Sequence, residues 1–192
     1  ASLGVMHDYL AIPLPPKHAP YRNVDIVALD LETTGLDPQR DSILSYGLVR
    51  LRDMAIRLET ARHEVIQVRE DIPETAAVIH QITDDVAAAG RPLEQVLPDI
   101  LAQLAGRVML VHYAKIEQGF LDAACRRLYG APFVIHTIDT LVLARRLFEI
   151  RNPTIQANNL RLFNLRPQYN LPQYKAHNAL SDALATGELF LA

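Results

Sequence analysis

The 192-residue chain has one cysteine, no long apolar run and no net positive charge, and each absence excludes a class of protein. Because Cys125 is alone, no disulfide can form within the chain, which fits a reducing cytoplasm. No stretch approaches the roughly 18 consecutive apolar residues that span a bilayer. Residues 1–20 also lack the basic start and apolar stretch of a secretion signal. We therefore expect a cytoplasmic protein with no membrane contact.

The charge is small overall but unevenly distributed. A net charge of −3 gives no general basic field of the kind that attracts duplex nucleic acid. Residues 140–178, however, contain six basic residues against the single acid Glu149. This basic segment is either an ordinary solvated surface or a surface that contacts phosphates. Its basic residues are Arg145, Arg146, Arg151, Arg161, Arg166 and Lys175.

Hydrophobic periodicity predicts an α/β fold. Residues 1–20 contain four of the 12 prolines and are expected to be an arm or linker, which leaves 21–192 as the domain. An apolar strand at 24–32 precedes "SILSYGLVRL" and "AIRLETARHEVIQV", whose alternation is typical of antiparallel strands. Helical patterns then alternate with the short strands "RVMLVH" and "FVIHTID". We expect a mixed central sheet, an antiparallel meander plus parallel strands, flanked by helices.

The first strand carries two acids in an apolar context. In "VDIVALDLETTGLD", residues 24–37, Asp30 and Glu32 are two positions apart and therefore point to the same face. Two carboxylates side by side repel each other and resist desolvation if they are buried. Either this face is solvated, or a cation lies between the two acids.

Two more acids fall on helix faces that should be apolar. Glu117 lies on the inward stripe of its predicted helix, although an acid near a helix start can also simply complement the helix dipole. The stripe continues through Leu121, Ala124 and Leu128. Asp182 lies early in the last predicted helix, either as an ordinary first-turn acid or as a ligand.

His177 and Asp182 can serve one site only if they lie on different elements. Five positions apart on a single helix, their side chains would diverge by roughly 140°. We therefore expect His177 in the loop before the helix and Asp182 within it. Small residues on this helix would let it approach the sheet closely, and they are Ala179, Ala183 and Ala185.

Together the acids predict a metal site. Burying unpaired carboxylates is costly, so a shared partner is the simplest explanation for acids on several inward faces. Oxygen ligands without a cysteine indicate Mg²⁺ or Mn²⁺ rather than zinc. Two such ions roughly 4 Å apart suit in-line phosphoryl chemistry. The predicted ligands are Asp30, Glu32, Glu117 and Asp182.

The segments "DLETTGLD", the helix after "VH" and "HNALSDALAT" resemble the three motifs of the DEDDh 3′→5′ exonucleases, which include the polymerase III proofreading subunit and ribonuclease T. The resemblance covers about residues 22–192, including "IPETAAVIHQIT", which is similar to the connecting segment of the family. It implies a ribonuclease-H-like fold and metal-dependent hydrolysis at the 3′ end of single-stranded DNA, releasing nucleoside 5′-monophosphates. An RNA-trimming exoribonuclease and a catalytically weakened nucleic-acid-binding module stay open. A DNA polymerase, or another replication or repair protein, is the partner it suggests.

The resemblance also implies residue roles. Asp30, Glu32, Glu117 and Asp182 become catalytic metal ligands for two divalent ions, and His177 becomes the general base. Thr33, Thr34 and Gly35, in the turn after the first strand, would hold the terminal nucleotide through hydroxyl and backbone donors. Further substrate contacts are expected from Leu36, His80 and Tyr113.

The chain departs from the family pattern at two positions. Glu117 stands where aspartate is usual, and Tyr113 stands where asparagine is common. Asp139 is expected to cap the following helix, and the remaining histidines at 80, 112 and 136 are assigned to structure or to substrate edges. Because the basic segment leads into the loop with His177, we expect part of it, including Arg161, Arg166 and Lys175, to follow the substrate backbone.

Overall fold

The computed structural model describes residues 2–151 and 156–192, and their strands form one five-stranded sheet. The strands are β1 (Ile26–Thr33), β2 (Ile43–Arg52), β3 (Ala55–Val65), β4 (Val108–Val111) and β5 (His136–Asp139). Their order across the sheet is β3-β2-β1-β4-β5. β1, β2 and β3 pair antiparallel, whereas β4 pairs parallel with both β1 and β5. The predicted mixed sheet, a meander followed by parallel strands, is confirmed.

Helices cover both faces of this sheet. They are α1 (Ser2–Ala11), α2 (Glu74–His80), α3 (Asp84–Ala88), α4 (Leu93–Leu104), α5 (Lys115–Tyr129), α6 (Thr140–Arg151), α7 (Leu162–Leu165) and α8 (Ala179–Leu191). Short 3₁₀ turns occupy Tyr21–Asn23, Ala157–Leu160 and Arg166–Tyr169. None of the helices in the described part of the chain combines the length and the apolar character that a bilayer crossing requires.

The first half of the predicted arm is a helix instead. Met6 and Tyr9 of α1 are buried in the same core as α4 and α5. The Tyr9 hydroxyl donates a hydrogen bond of 2.8 Å to the carbonyl of Val134, and its ring stacks on Phe133. A helix this short is marginal alone and is stabilised by docking. The prolines that suggested a linker all lie beyond it, within residues 13–20.

Alternation along β1 sends its side chains into two different layers. One series packs with α1, α4 and α5, and consists of Val27, Leu29 and Leu31. The other series begins with Ile26 and Ala28, which belong to the apolar cluster that includes side chains of α8. Asp30 and Glu32 continue this second series, because strand side chains alternate with a period of two. The sheet face covered by α8 therefore changes from apolar to acidic towards the end of β1.

The backbone of α8 lies directly against the backbone of the sheet. Gly47 of β2 pairs with Asp30 of β1, and a Cβ atom at Gly47 would overlap the backbone of Ala179 and Leu180. The three alanines at 179, 183 and 185 are fully buried. The close approach that the sequence predicted for this helix is confirmed, and it brings the first turns of α8 over the acidic end of β1.

Candidate active site

A cleft of about 440 Å³ lies around the carboxyl ends of β1 and β4. Its walls come from the turn after β1, from α2, from the start of α5 and from the segment that leads into α8. The predicted acids and the predicted base all line it, namely Asp30, Glu32, Glu117, His177 and Asp182. The structure thus brings into one cleft residues that the sequence places far apart.

Three of the four acids form a tight cluster. Carboxylate oxygens of Asp30, Glu32 and Asp182 all lie within 4.8 Å of one another. Glu32 and Asp182 are buried, and Oε1 of Glu32 and Oδ1 of Asp182 accept no hydrogen bond. Buried carboxylate oxygens without donors are costly. The unpaired oxygens therefore fit a divalent cation, for which hard oxygen ligands are suitable.

Glu117 lines the same cleft but stands outside this three-acid cluster. Its side chain is only 3% exposed, and its Oε2 atom accepts no hydrogen bond. Leu121 and Ala124 are buried on the same face of α5, so the inward stripe predicted for this helix is confirmed. A simple complement to the helix dipole would not need to be buried, and the unpaired oxygen favours the ligand interpretation.

Three of the acids, Asp30, Glu117 and Asp182, are held in an environment that favours their protonated forms. Burial raises the pKa of Glu117 to about 8, with the charges of Asp139 and Glu32 adding to the rise. Burial likewise raises the pKa of Asp182 to about 7, helped by Glu32. The pKa of Asp30 also lies well above its usual range because of burial and then the charges of Glu117, Asp182 and Glu32. A bound cation would reverse this preference by stabilising the ionised forms.

His177 lies in the loop before α8, and Asp182 lies inside the helix, as predicted. The backbone of His177 has φ of 68°, in the left-handed region, and its N–H donates to Oδ2 of Asp182 at 3.2 Å. Asn178 then caps α8 by accepting a hydrogen bond from the N–H of Ser181 at 3.1 Å. The left-handed residue turns the chain so that its imidazole faces the cleft while the helix begins immediately afterwards.

His80 contacts one of the acids, and the sequence did not predict this contact. Its Nδ1 atom contacts Oε2 of Glu32, and ring nitrogens of His80 and His177 both lie within 4.8 Å of the Glu32 carboxylate. The two imidazoles meet edge to face, with ring centroids 5.9 Å apart. The sequence assigns His80 to structure or to a substrate edge and not to metal, and it predicts no contact with Glu32. Nothing in the local sequence signals the contact, since it depends on how α2 folds over the cleft.

The threonine hydroxyls of the turn after β1 form hydrogen bonds within the turn itself, although the sequence predicted that they bind substrate. Thr33 Oγ1 donates to the carbonyl of Gly35 at 2.6 Å, and Thr34 Oγ1 accepts from the N–H of Ser42 at 2.9 Å. Leu36, by contrast, is 77% exposed at the cleft. The turn is therefore a fixed platform that presents an apolar side chain.

Asp139 caps its helix as predicted and also holds a second element. Its carboxylate accepts from the N–H of Leu141 at 2.9 Å, and from those of Tyr113 and Ala114 at 3.0 and 2.9 Å. The loop before α5, and with it Glu117, is thereby attached to the start of α6. Tyr113, predicted to contact substrate, has φ of 79° and is not among the residues that line the described cleft.

His112 has a structural environment. Its Nδ1 lies 2.8 Å from Oγ1 of Thr140, and its Nε2 lies 3.0 Å from the carbonyl of Leu160. Burial lowers the pKa of His112, so the neutral imidazole is favoured. The residue joins the end of β4 to α6 and to the segment beyond it, and it forms one edge of the cleft.

The basic segment divides into exposed residues and one buried residue. Arg145, Arg146, Arg161 and Lys175 are exposed, as either of the sequence-based alternatives requires. Arg166 is completely buried, so the expectation that it contacts substrate is wrong. The side chain of Arg151 and the Pro/Asn-rich residues 152–155 lie outside the described residues.

The chain is similar to an exonuclease family and to DNA polymerases that contain a related segment. The model of the exonuclease family RNase_T matches residues 27–190. DNA polymerase III PolC-type of Thermotoga petrophila is 32% identical over 171 residues, which is 89% of this chain and 12% of that polymerase. The Staphylococcus aureus polymerase of the same name is 27% identical over 187 residues, or 97% of this chain and again 12% of the relative. The chain thus spans only a small part of the curated relatives it matches.

Solved structures share the fold. The zinc-bound complex of Escherichia coli exonuclease I with single-stranded DNA has a TM-score of 0.77 and 17% identity, covering 88% of this chain and 40% of that one. Exonuclease X in complex with 5′ overhanging duplex DNA has a TM-score of 0.65 and 24% identity. The match covers 86% of this chain and 89% of that one. The expected ribonuclease-H-like fold is confirmed by this likeness.

Proposed function

The chain belongs to the RNase_T exonuclease family, among the DEDDh 3′→5′ exonucleases, and on that premise we propose that it shortens single-stranded DNA from its 3′ end. Each cycle hydrolyses the terminal phosphodiester bond and releases one nucleoside 5′-monophosphate, with two Mg²⁺ or Mn²⁺ ions as cofactors. The observation that carries the proposal is the convergence of Asp30, Glu32 and Asp182 within 4.8 Å, in a cleft shared with His177.

The donor set fits divalent ions. Asp30, Glu32 and Asp182 would hold them with carboxylate oxygens, two of which accept no hydrogen bond within the protein, and Glu117 would complete the set. When bound, the ions supply positive charge that offsets the negative charge of the scissile phosphate and of the attacking oxygen. Four carboxylates in one cleft would otherwise repel a phosphodiester, so the cations also permit the substrate to approach.

His177 supplies the proton acceptor. An imidazole facing the cleft takes one proton from the attacking water, whose oxygen forms a bond to the phosphorus. The bond from phosphorus to the O3′ atom of the preceding nucleotide breaks, and that oxygen gains a proton from solvent. The products are a nucleoside 5′-monophosphate and a strand that again ends in a 3′-hydroxyl. His177 then returns its proton to solvent before the next cycle.

The walls of the cleft would position the terminal nucleotide. Leu36 and His80 line the cleft together with the acids, and the turn residues Thr33, Thr34 and Gly35 line it as well. Their place beside the acids supports contact with the last sugar and base, through an apolar side chain, an imidazole and backbone groups. The hydroxyl groups of both threonines form hydrogen bonds within the turn. Thr33 and Thr34 would therefore contact the nucleotide through their backbone groups.

The relatives support a replication context for this activity. Two polymerases named DNA polymerase III PolC-type contain a segment similar to nearly the whole chain, which supports a role in proofreading beside a DNA polymerase. The proposed partners are therefore a single-stranded 3′ end and a polymerase or another replication or repair protein.

The test compares DNA and RNA of one sequence. A 5′-labelled single strand is incubated with the purified chain and Mn²⁺, Mg²⁺ or a chelator, and the products are separated by length and by chromatography. We expect stepwise shortening of DNA and release of nucleoside 5′-monophosphates only with metal. Asp182→Asn should abolish the reaction, whereas the matched surface change Asp8→Asn should not. Faster trimming of RNA would favour the exoribonuclease alternative, and binding without cleavage would overturn the proposed activity.

A further inference from the structure

Arg166 is a completely buried charged side chain outside the cleft. It lies at the start of the 3₁₀ turn Arg166–Tyr169, a few residues before the segment that carries His177. Burying a guanidinium is expensive unless every donor has a partner. Its partners therefore indicate what the side chain holds together.

All three guanidinium nitrogens of Arg166 donate hydrogen bonds, either to the loop before α8 or to α8 itself. Nε and Nη2 donate to the carbonyl of Pro172 at 3.0 and 2.7 Å, and Nη1 donates to the carbonyl of Ala185 at 2.8 Å. Nη2 also bonds Oε2 of Glu188 at 2.6 Å. The guanidinium carbon lies 4.6 Å from the ring centre of Tyr174, whose hydroxyl donates to the other oxygen of Glu188 at 2.7 Å. We refer to Arg166, Tyr174 and Glu188 as the clamp.

The clamp joins the His177 loop to the helix that carries Asp182. Pro172 and Tyr174 belong to the loop, whereas Glu188 belongs to α8. Downstream, the loop is fixed again where the N–H of His177 bonds Asp182. His177 therefore lies on a short span whose two ends are both attached to α8.

We propose that Arg166 is a positioning residue for His177, which it acts on by fixing the loop to α8. This inference rests on the proposed function, because it assigns to Arg166 a part of the catalytic geometry. An active-site group misplaced by about 1 Å can lose on the order of a hundredfold in rate. A loop held at both ends avoids that loss, and a loop held only at Asp182 can pivot about that end.

The chemistry of the clamp requires arginine. A planar guanidinium can bond a carbonyl through two nitrogens, bond a carboxylate and stack on a ring at the same time, whereas an ammonium group cannot reproduce this geometry. Arg166→Lys keeps the positive charge that Glu188 needs and loses the fork to Pro172. The substitution therefore separates the positioning role from simple charge neutralisation.

The experiment is a double-mutant cycle with His177. Single-turnover rates on single-stranded DNA are measured with saturating Mn²⁺ for the parent, Arg166→Lys, His177→Ala and the double variant. We expect Arg166→Lys to lower the rate about tenfold, with KM changed less than about twofold, and to have almost no further effect once His177 is absent. Arg91→Lys, which alters an arginine paired at the surface with Glu64, is the matched control and should leave the rate unchanged. An equal loss in both backgrounds, or no loss in either, would overturn the proposal.

Hydrogen exchange provides a measurement that does not depend on activity. In Arg166→Lys, amides of residues 171–178 should exchange faster, while those of β1 and α5 should be unchanged. Glu188→Gln provides a second variant if Arg166→Lys does not fold, and the same local increase is expected. Unchanged exchange in the loop would refute the clamp. An inactive parent protein with a clamp-dependent loop would instead contradict the proposed function alone.

Discussion

The backbone N–H of His177 donates a 3.2 Å hydrogen bond to the Oδ2 atom of Asp182, so the proposed base and one proposed metal ligand are directly joined. The bond uses one oxygen of Asp182 and leaves Oδ1 without a hydrogen bond, and a carboxylate oxygen of Asp182 lies within 4.8 Å of those of Glu32 and Asp30. The left-handed backbone at His177 allows this geometry. The loop and the first turns of α8 therefore position the base and the ligand relative to each other.

His177→Ala should lower the rate of hydrolysis and leave metal binding nearly intact. A general base contributes typically a hundredfold to ten-thousandfold, so a loss on that order is expected at saturating substrate and metal. Binding of Mn²⁺, measured by calorimetry, should change little, because the substitution keeps the carboxylates. His7→Ala, an exposed histidine on α1, is the control. A rate close to that of the parent would assign the base role to another group.

Metal-free protein should become less stable as the pH rises. A folded-state pKa of about 7 for Asp182 exceeds that of the unfolded chain, so the folded state retains a proton that the unfolded state releases. The stabilisation is present below the unfolded pKa of about 4 and is lost as the pH rises through the folded value. Over this range the free energy of unfolding falls by at most about 1.4 kcal/mol per pH unit for each proton.

Asp182→Asn should remove part of this slope. Urea unfolding from pH 5 to 8.5 in the presence of a chelator compares the variant with the parent, and Asp8→Asn provides the surface control. Saturating Mn²⁺ should flatten or reverse the slope of the parent, because the cation favours the ionised acids. A parent whose metal-free stability does not fall over this range would contradict the raised pKa of Asp182.

Gly47→Ala should destabilise the protein and impair activity together. The added Cβ would overlap the backbone of Ala179 and Leu180, so α8 must move away from β2 and carry Asp182 with it. Overpacking typically costs about 1–3 kcal/mol, which thermal unfolding would detect. Gly4→Ala is the matched control, because nothing lies within 4 Å of its added Cβ, and the change within α1 should be slightly stabilising. An unchanged melting temperature for Gly47→Ala would argue against the close packing of α8.

Arg161 and Lys175 should contribute to DNA binding through phosphate contacts. Each contact with a single strand adds roughly 0.7 to the slope of log affinity against log salt concentration. Replacing both with alanine should therefore raise KM and lower the slope by up to about 1.4. Arg107, which bonds carbonyls near the end of α4, supplies a control through Arg107→Ala. If neither KM nor the slope moves, both residues belong to an ordinary solvated surface.

Much of the site could be predicted because its signals are local. The period of two along β1 places Asp30 and Glu32 on one face, and the inward stripe of α5 places Glu117 on a buried face. The five-residue spacing from His177 to Asp182 required a loop followed by a helix, which the structure contains. These inferences depend on backbone geometry within single elements, and such geometry follows from short sequence patterns.

The remaining features depend on tertiary packing. The positive charge of Arg166 suggested a solvated or substrate-facing side chain, but its partners lie 6, 19 and 22 positions away and are assembled only by folding. The contact of His80 with Glu32 likewise requires α2 to cover the cleft. Docking of α1 depends on Phe133 and Val134, which no pattern within residues 1–20 could indicate.

Glu117 is expected to make the enzyme prefer Mn²⁺. Its side chain has one methylene more than the usual aspartate, which adds about 1.5 Å of reach, a carbon–carbon bond length. The carboxylate lines the cleft but does not join the three-acid cluster, so a bound ion or the start of α5 must adjust to it. Mg²⁺ demands nearly ideal octahedral geometry at short distances, whereas Mn²⁺ should tolerate a displaced ligand better.

Rates of hydrolysis with each ion test this expectation directly. The parent should be markedly faster with Mn²⁺ than with Mg²⁺, and Glu117→Asp should narrow the difference because it restores the shorter side chain. Glu117→Gln should abolish activity with both ions, since the amide keeps the size of the side chain and removes its charge. Glu94→Gln, at the first turn of α4, is the control for losing an acid near a helix start. If Glu117→Gln remains active, the carboxylate serves only as a complement to the dipole of α5, and the metal preference must have another origin.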